Sequence, residues 1–83
     1  MYDSVHEKIQ VTARFQPGKR PDIQSFLWKD KEHVVEQVTL VSKARKGREV
    51  VWLFNVATKT AAFKLRFDTD SLTWWLEQHT WGD

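Results

Sequence analysis

Apolar and polar residues alternate with a period of two along most of this chain. Between Lys8 and Phe15 every second residue is apolar, which is the pattern of a strand with one face in water. The alternation is cleanest between Ala61 and Asp68. Clusters of β-branched and aromatic residues predict four more strands, at Ile23–Trp28, His33–Lys43, Val50–Val56 and Leu72–His79.

Short polar segments separate these six predicted strands. Every connection after residue 29 is too short for the crossover that a parallel pair of strands requires, so neighbouring strands should pair antiparallel. The sequence therefore predicts an all-β fold. We expect a single antiparallel meander of about six strands, curled into a half-barrel or a small open barrel, with residues 1–83 forming one domain.

The third predicted strand is the least regular. Apolar residues of both parities occur between Val34 and Val41, so a bulge or burial on both sides is expected near Glu36 and Gln37. The register of this strand is open. A helix over Glu32–Val41 is the alternative, and the β-branched residues of that segment argue against it.

The composition suits a small domain with a dense core. The 83 residues include five Trp, five Phe and one Tyr, and each aromatic side chain can bury roughly 150–250 Å². The absence of cysteine excludes a disulfide, a thiolate zinc site and a cysteine nucleophile. The chain starts without a signal-peptide pattern and lacks an apolar run of the ~18 residues that a membrane span needs, so we expect a cytoplasmic protein of bacterial type, with no membrane association.

Several short motifs between residues 23 and 81 form a pattern that is found elsewhere. They are Phe26-Leu27-Trp28, Glu32-His33-Val34-Val35 with Val38, Trp52, and Leu65-Arg66-Phe67-Asp68 followed by Trp74-Trp75-Leu76-Glu77. In these motifs the chain resembles an uncharacterised family of short bacterial proteins, a domain of unknown function. The resemblance implies a small β domain and carries no activity or catalytic residue. Family members commonly have glycine in the turn where this chain has Ser71, so the turn type is open.

Positive charge is clustered rather than abundant. The chain has 13 Lys and Arg against 11 Asp and Glu, a formal net charge of +2, which selects no class of partner. Small β-barrels bind nucleic acid through cationic grooves with aromatic stacking platforms, and Trp28, Trp75 and Trp81 are candidate platforms. A solvated turn that keeps a strand edge from aggregating is the alternative, since Asp30, Glu32, Glu36 and Glu49 dilute the charge. The candidate nucleic-acid contacts are Lys43, Arg45, Lys46 and Arg48, with Lys19 and Arg20 assisting.

Apolar residues occupy both faces of the fourth predicted strand. Val50, Trp52, Phe54 and Val56 mark one face, and Val51 and Leu53 the other. The second face must be covered by barrel closure, by the N-terminal segment or by another chain, because large exposed apolar patches usually mark an interface. A homodimer or an unknown protein partner is therefore considered. The candidate interface residues are Val51, Leu53, Trp75 and Trp28.

The sequence offers little for catalysis or for metal binding. The spacing of His6, His33 and His79 matches no ligand motif, and a calcium loop beginning at Asp68 fails because its sixth and twelfth positions are Thr73 and His79. Nucleophile-elbow and phosphate-loop glycines are also missing. We expect no catalytic residue, cofactor or metal. The hypothesis is a protein-interaction module without catalytic activity, and the alternative is a nucleic-acid-binding module.

Overall fold

Seven strands are formed in this computed structural model, which describes the backbone of residues 2–81 and the side chains of residues 3–80. Those residues contain no helix, and so none that is long and apolar enough to cross a membrane. The strands are β1 (Tyr2–Arg14), β2 (Asp22–Trp28), β3 (Lys31–Val34), β4 (Gln37–Lys46), β5 (Glu49–Ala57), β6 (Ala61–Asp68) and β7 (Thr73–Trp81).

All seven strands belong to one antiparallel sheet with the order β3-β2-β1-β7-β6-β5-β4. Neighbours in sequence pair with each other everywhere except at β3 and β4, and β1 joins the two halves of the sheet by pairing with β7. The prediction of an all-β antiparallel meander is confirmed. The sheet is not closed into a barrel, because β3 and β4 form its two edges without pairing.

The connection between the two edge strands forces the sheet to curl. In a flat sheet of seven strands spaced about 4.8 Å apart, β3 and β4 would lie about 29 Å from each other. Only Val35 and Glu36 join them, and the three residue steps from Val34 to Gln37 span at most about 11 Å. The two edges must therefore approach each other, which gives the predicted half-barrel.

Three details differ from the sequence prediction. The third predicted strand, His33–Lys43, is two strands, because the chain leaves β2 after Val34 and joins β5 at Gln37. The alternative helix over Glu32–Val41 is wrong, since this segment belongs to β3, β4 and the connection between them, whose amides bond to β2 and β5. The first strand begins at Tyr2 rather than Lys8, because its polar start pairs with β7 through the backbone.

The core lies on the inside of the curl. On β6 the buried residues occupy every second position, as the alternation predicts. Phe54, Leu65 and Leu76 are fully buried and come from adjacent strands of the sheet. The β1–β2 half folds over them and contributes the other side of the core. The buried cluster consists of Ile23, Phe26, Phe54, Val56, Phe63, Leu65, Phe67, Trp74 and Leu76.

Left-handed backbone conformations occur in the turns between strands. Lys29 and Asp30 both have positive φ, 53° and 60°, as in the two-residue hairpin turn whose twist matches that of paired strands. In the β4–β5 turn only Gly47 has a positive φ, 65°. In the β6–β7 turn the residue with positive φ is Leu72, at 55°, rather than Ser71.

Candidate interaction surfaces

Strand β4 presents a long free edge. It pairs with β5 on one side, and within residues 2–81 its other side has no neighbouring strand. All residues from Ser42 to Lys46 are exposed. The opposite edge strand, β3, has four residues against ten in β4. Of the two edge strands of the described sheet, β4 therefore offers the longer row of unpaired backbone groups.

The basic hairpin is the set of four exposed cations at the far end of this edge: Lys43, Arg45, Lys46 and Arg48. Lys43 and Arg45 are two residues apart and so lie on the same face of β4. Lys46 lies opposite Glu49, so part of its charge is already compensated. The predicted cluster is thus present, with three members on β4 and Arg48 in the turn.

The two loop cations, Lys19 and Arg20, lie beside the first residues of β4. Lys19 and Arg20 belong to the β1–β2 loop and line a cleft of about 610 Å³, the edge cleft, together with Val38 of β4. Five residue steps lead from Val38 to Lys43, which is about 17 Å of extended strand. The six predicted cations therefore follow one edge of the sheet in two groups. The remaining residues that line the edge cleft are Gln16, Pro21 and Asp22.

A second cleft, of about 460 Å³, lies between β3 and the β5–β6 turn. Lys31, His33 and Lys59 contribute to its walls, together with Glu32 and Glu36. Its charges are nearly balanced, in contrast to those along β4. It provides a matched location for control substitutions.

Trp52 is the tryptophan beside the basic hairpin. Lys43 lies directly opposite Trp52 in the register, and the Lys43 ammonium nitrogen is 4.6 Å from the centre of the indole ring. The other face of this half-buried ring contacts the core through Phe54. The sequence pattern did not identify Trp52 as an aromatic neighbour of the basic hairpin. The two-residue turn Gly47-Arg48 could have done so, because antiparallel pairing outward from this turn places Lys43 opposite Trp52.

Two of the three tryptophans proposed as stacking platforms, Trp28 and Trp75, lie away from the basic hairpin. Trp28 packs against the core and contacts His79, with a ring separation of 4.9 Å. Trp75 lies on the outer face of the sheet between two cations, Lys8 at 5.6 Å and Arg66 at 5.0 Å. The indole nitrogens of Trp28 and Trp75 are buried and have no hydrogen-bond partner among the described residues. The side chain of Trp81 lies outside the described residues.

The outer face of the sheet is covered by its own charged side chains. Leu53, Arg66 and Trp75 lie opposite one another in β5, β6 and β7. Arg66 donates a 2.7 Å hydrogen bond to Glu77, and its Nε lies 2.9 Å from Asp68 in an ion pair without hydrogen-bond alignment. These three charged side chains are less than a fifth exposed.

The four candidate interface residues do not form one exposed apolar patch among the described residues. Val51 is only 4% exposed in the single chain, so its burial requires no partner. Leu53 is half-buried beside Arg66. Trp75 belongs to this outer face, whereas Trp28 packs against the core from the inside. The structure therefore brings Val51, Leu53 and Trp75 to one face and places Trp28 apart from them.

Two histidines lie in an aromatic cluster at one end of the core. The His33 ring stacks on Phe26 at 5.1 Å and the His79 ring on Phe63 at 4.9 Å, each pair within 11° of parallel. Burial lowers the pKa of His33, and the positive charge of Lys31 and the neighbouring His79 lower it further, against a hydrogen bond with the backbone of Trp28 that raises it.

His6 is separate from this cluster, since its Nδ1 is 2.7 Å from a Glu77 carboxylate oxygen. Among the described residues, no three His, Asp or Glu side chains come together in a group that could hold a metal ion.

Comparison of the chain with protein-family models, with curated proteins and with solved structures gives no match. The functional argument therefore depends on the geometry of these surfaces.

Proposed function

We propose that this domain is a protein-interaction module, without catalytic activity, that binds an extended segment of a partner protein as an added strand on β4. The observation that carries the proposal is the free edge of β4, ten residues long. An unpaired strand edge is a template for backbone hydrogen bonding with another chain. Strand addition draws its affinity from those hydrogen bonds and its specificity from the side chains beside them.

The way this edge is protected also supports strand addition. Proteins commonly keep edge strands from aggregating by making them short, by bulging them or by placing lysines on them. β3 is short, whereas β4 is long and carries Lys43, Arg45 and Lys46, with a bulge near Val38. Pairing two copies of β4 would bring six cations together, which opposes self-association. A protected edge of this kind remains open to a chain of different charge.

The outer face supports a partner less well, because Arg66 already forms ion pairs there with Asp68 and Glu77. A homodimer through this face is tested at Leu53, since a charge at the buried Val51 would destabilise the fold by itself. We expect Leu53→Asp to leave the particle mass unchanged in light scattering. A fall from dimer to monomer mass would move the interface to the outer face.

The test of strand addition starts from peptides of about ten residues, a length that matches β4, selected for binding to the intact domain. Amide chemical-shift changes should concentrate on β4 and the β1–β2 loop. N-methylation at alternate residues of a selected peptide should then abolish binding in one phase and preserve it in the other, because successive strand amides point to opposite sides. Equal tolerance of both phases, or shifts confined to other strands, would refute strand addition.

Binding of single-stranded nucleic acid is the second candidate, and the contact between Lys43 and Trp52 favours it. Modules of this kind combine a cationic groove with aromatic platforms, and their affinity falls steeply with salt. Anisotropy of labelled oligonucleotides at about 50 and 200 mM salt measures this directly. Arg45→Ala with Lys46→Ala should weaken any such binding and flatten its salt dependence, whereas Lys31→Ala with Lys59→Ala should not. Absence of binding at the lower salt concentration would remove this candidate.

A further inference from the structure

Charge along the free edge of β4 is strongly one-sided. Strand β4 contains three cations and no carboxylate, and the adjoining turn adds Arg48. The loop wall of the edge cleft adds Lys19 and Arg20. Asp22 in that wall and Glu49 opposite Lys46 are the carboxylates at these positions. Six cations against two acids contrast with 13 against 11 in the whole chain, so the edge concentrates the charge that the molecule otherwise balances.

The position of the edge cleft fixes where an added strand would run. A new strand lies about 4.8 Å from its neighbour in the sheet, and β4 lines the edge cleft at Val38 together with the loop that carries Lys19 and Arg20. A strand paired along β4 would therefore pass the two groups of cations one after the other. It would begin beside Val38 and pass Lys43 and Arg45 toward the turn.

The spacing of the cations also selects a sequence pattern. Lys43 and Arg45 lie on one face of β4, and directly opposite residues in paired strands place their side chains about 5 Å apart. Carboxylates at every second position of a partner would match these two cations. The intervening positions would face the side of β4 that carries Ala44 and Lys46, where Glu49 already lies opposite Lys46.

We infer that the partner segment is acidic, with carboxylates at alternate positions, and that it binds extended along the free edge of β4, from the edge cleft at Val38 to the basic hairpin. This inference rests on the proposed function, because it names the chemistry of the strand that β4 receives. The bound segment would combine backbone pairing along β4 with charge contacts to both groups of cations.

The test compares peptides that differ only in charge or in pattern. The probe is a fluorescein-labelled peptide of about eight residues in which Glu and Val alternate. Its controls replace Glu by Gln, replace Glu by Lys, or group the same four Glu and four Val into two blocks. Since each cross-strand charge pair contributes a small amount, we expect the alternating acidic peptide to bind about tenfold tighter than the Gln peptide at low salt, and the difference to shrink at high salt.

Substitutions in the domain locate the contact. Arg20→Ser with Arg45→Ser removes one exposed cation from each of the two groups and should weaken binding of the acidic peptide about threefold to tenfold. The matched control, Lys31→Ser with Lys59→Ser, removes the same charge from the second cleft and should leave the affinity unchanged. Circular dichroism of each variant establishes that the sheet is intact, and the peptide series on the unmodified domain decides the question without the variants.

The outcomes separate this inference from the proposed function. If the Gln peptide or the block peptide binds as tightly as the alternating acidic one, strand addition stands and the inference is wrong. If peptides obtained by selection bind at β4 but none of the acidic series does, the inference is likewise wrong. If no peptide binds at β4 at all, both fail. If a single-stranded oligonucleotide displaces the acidic peptide at lower concentration, the cations serve nucleic acid instead, and the inference is overturned.

Discussion

Val35 and Glu36 are adjacent residues between the two edge strands, and their backbone amides bond to opposite halves of the curled sheet. The Val35 N–H donates to the Gln24 carbonyl of β2 at 2.9 Å, and the Glu36 N–H donates to the Ala57 carbonyl of β5 at 2.8 Å. One peptide step thus joins the two halves of the curled sheet. Glu36 also lines the second cleft.

Removal of one of these two hydrogen bonds should destabilise the whole domain. Glu36→Pro deletes the amide that bonds to Ala57 and leaves a carbonyl without its donor, so we expect a loss of about 1–3 kcal/mol in the free energy of unfolding. Glu36→Ala keeps the amide and removes only an exposed side chain, and should stay within about 0.5 kcal/mol of the original. Urea unfolding followed by tryptophan fluorescence measures both. Equal stability of the two variants would contradict the role of this connection.

The hairpin turns offer a pair of substitutions with opposite effects. Asp30 holds a φ of 60°, so Asp30→Gly should stabilise by about 0.5–1 kcal/mol, which is a rise of several degrees in Tm for a domain of this size. Gly47 has a φ of 65° and open space where a Cβ would lie, so Gly47→Ala should destabilise by about 1 kcal/mol through the backbone alone. Thermal unfolding compares them. Shifts of the same sign would show that these backbone angles do not control stability.

The pH dependence of stability should carry a contribution from His33. Its pKa in the folded chain lies below the value of 6.5 that it has when unfolded, because burial and the nearby Lys31 disfavour the charged ring. The unfolded state therefore binds a proton first as pH falls, so stability is fully present above the unfolded pKa and decreases below it. Urea unfolding at about pH 7.5 and about pH 5.5 should reveal this loss.

Two substitutions assign that loss to the ring. His33→Phe keeps a ring against Phe26 and removes the titration, so the difference in stability between the two pH values should shrink. Lys31→Gln should shrink it less, because Lys31 lowers the pKa of His33 less than burial does. Lys59→Gln, in the same cleft, is the control and should not change it. An undiminished difference in His33→Phe would assign the pH dependence to other groups.

Local pattern predicts most of this fold because most strands have one apolar face. The alternation from Ala61 to Asp68 gives β6 and its buried face at once. The break at Val35 could not be placed in the same way, because a chain that passes from one edge to the other keeps its extended conformation and its β-branched residues. Its only local signal was the presence of apolar residues on both parities near Glu36.

The candidate surfaces were predicted unevenly, for a related reason. The basic hairpin could be found from sequence because its four cations lie within six consecutive residues and its turn contains Gly47. The edge cleft could not, because it depends on the β1–β2 loop lying beside β4, which are far apart in sequence. The cover over the outer face was missed because it depends on Arg66 reaching Glu77 on the next strand.

The charged network on the outer face should contribute to stability. Arg66 interacts with Glu77 and Asp68, whose side chains are 13% and 15% exposed, so replacing the guanidinium leaves two shielded carboxylates without their cation. Arg66→Met keeps an apolar stem against Trp75 and should lower the free energy of unfolding by about 1–3 kcal/mol. Lys64→Met removes a cation from the same face of β6 and should cost less than about 0.5 kcal/mol.

Coupling in this network separates charge shielding from simple packing. If Arg66 acts on Glu77, then Arg66→Met in a Glu77→Gln background should cost less than it does alone, because the carboxylate that it neutralises is gone. Denaturant unfolding of the four chains in this cycle gives the interaction free energy. Strict additivity would mean that Arg66 does not act through Glu77, and that it stabilises the outer face through Asp68 or by covering Trp75.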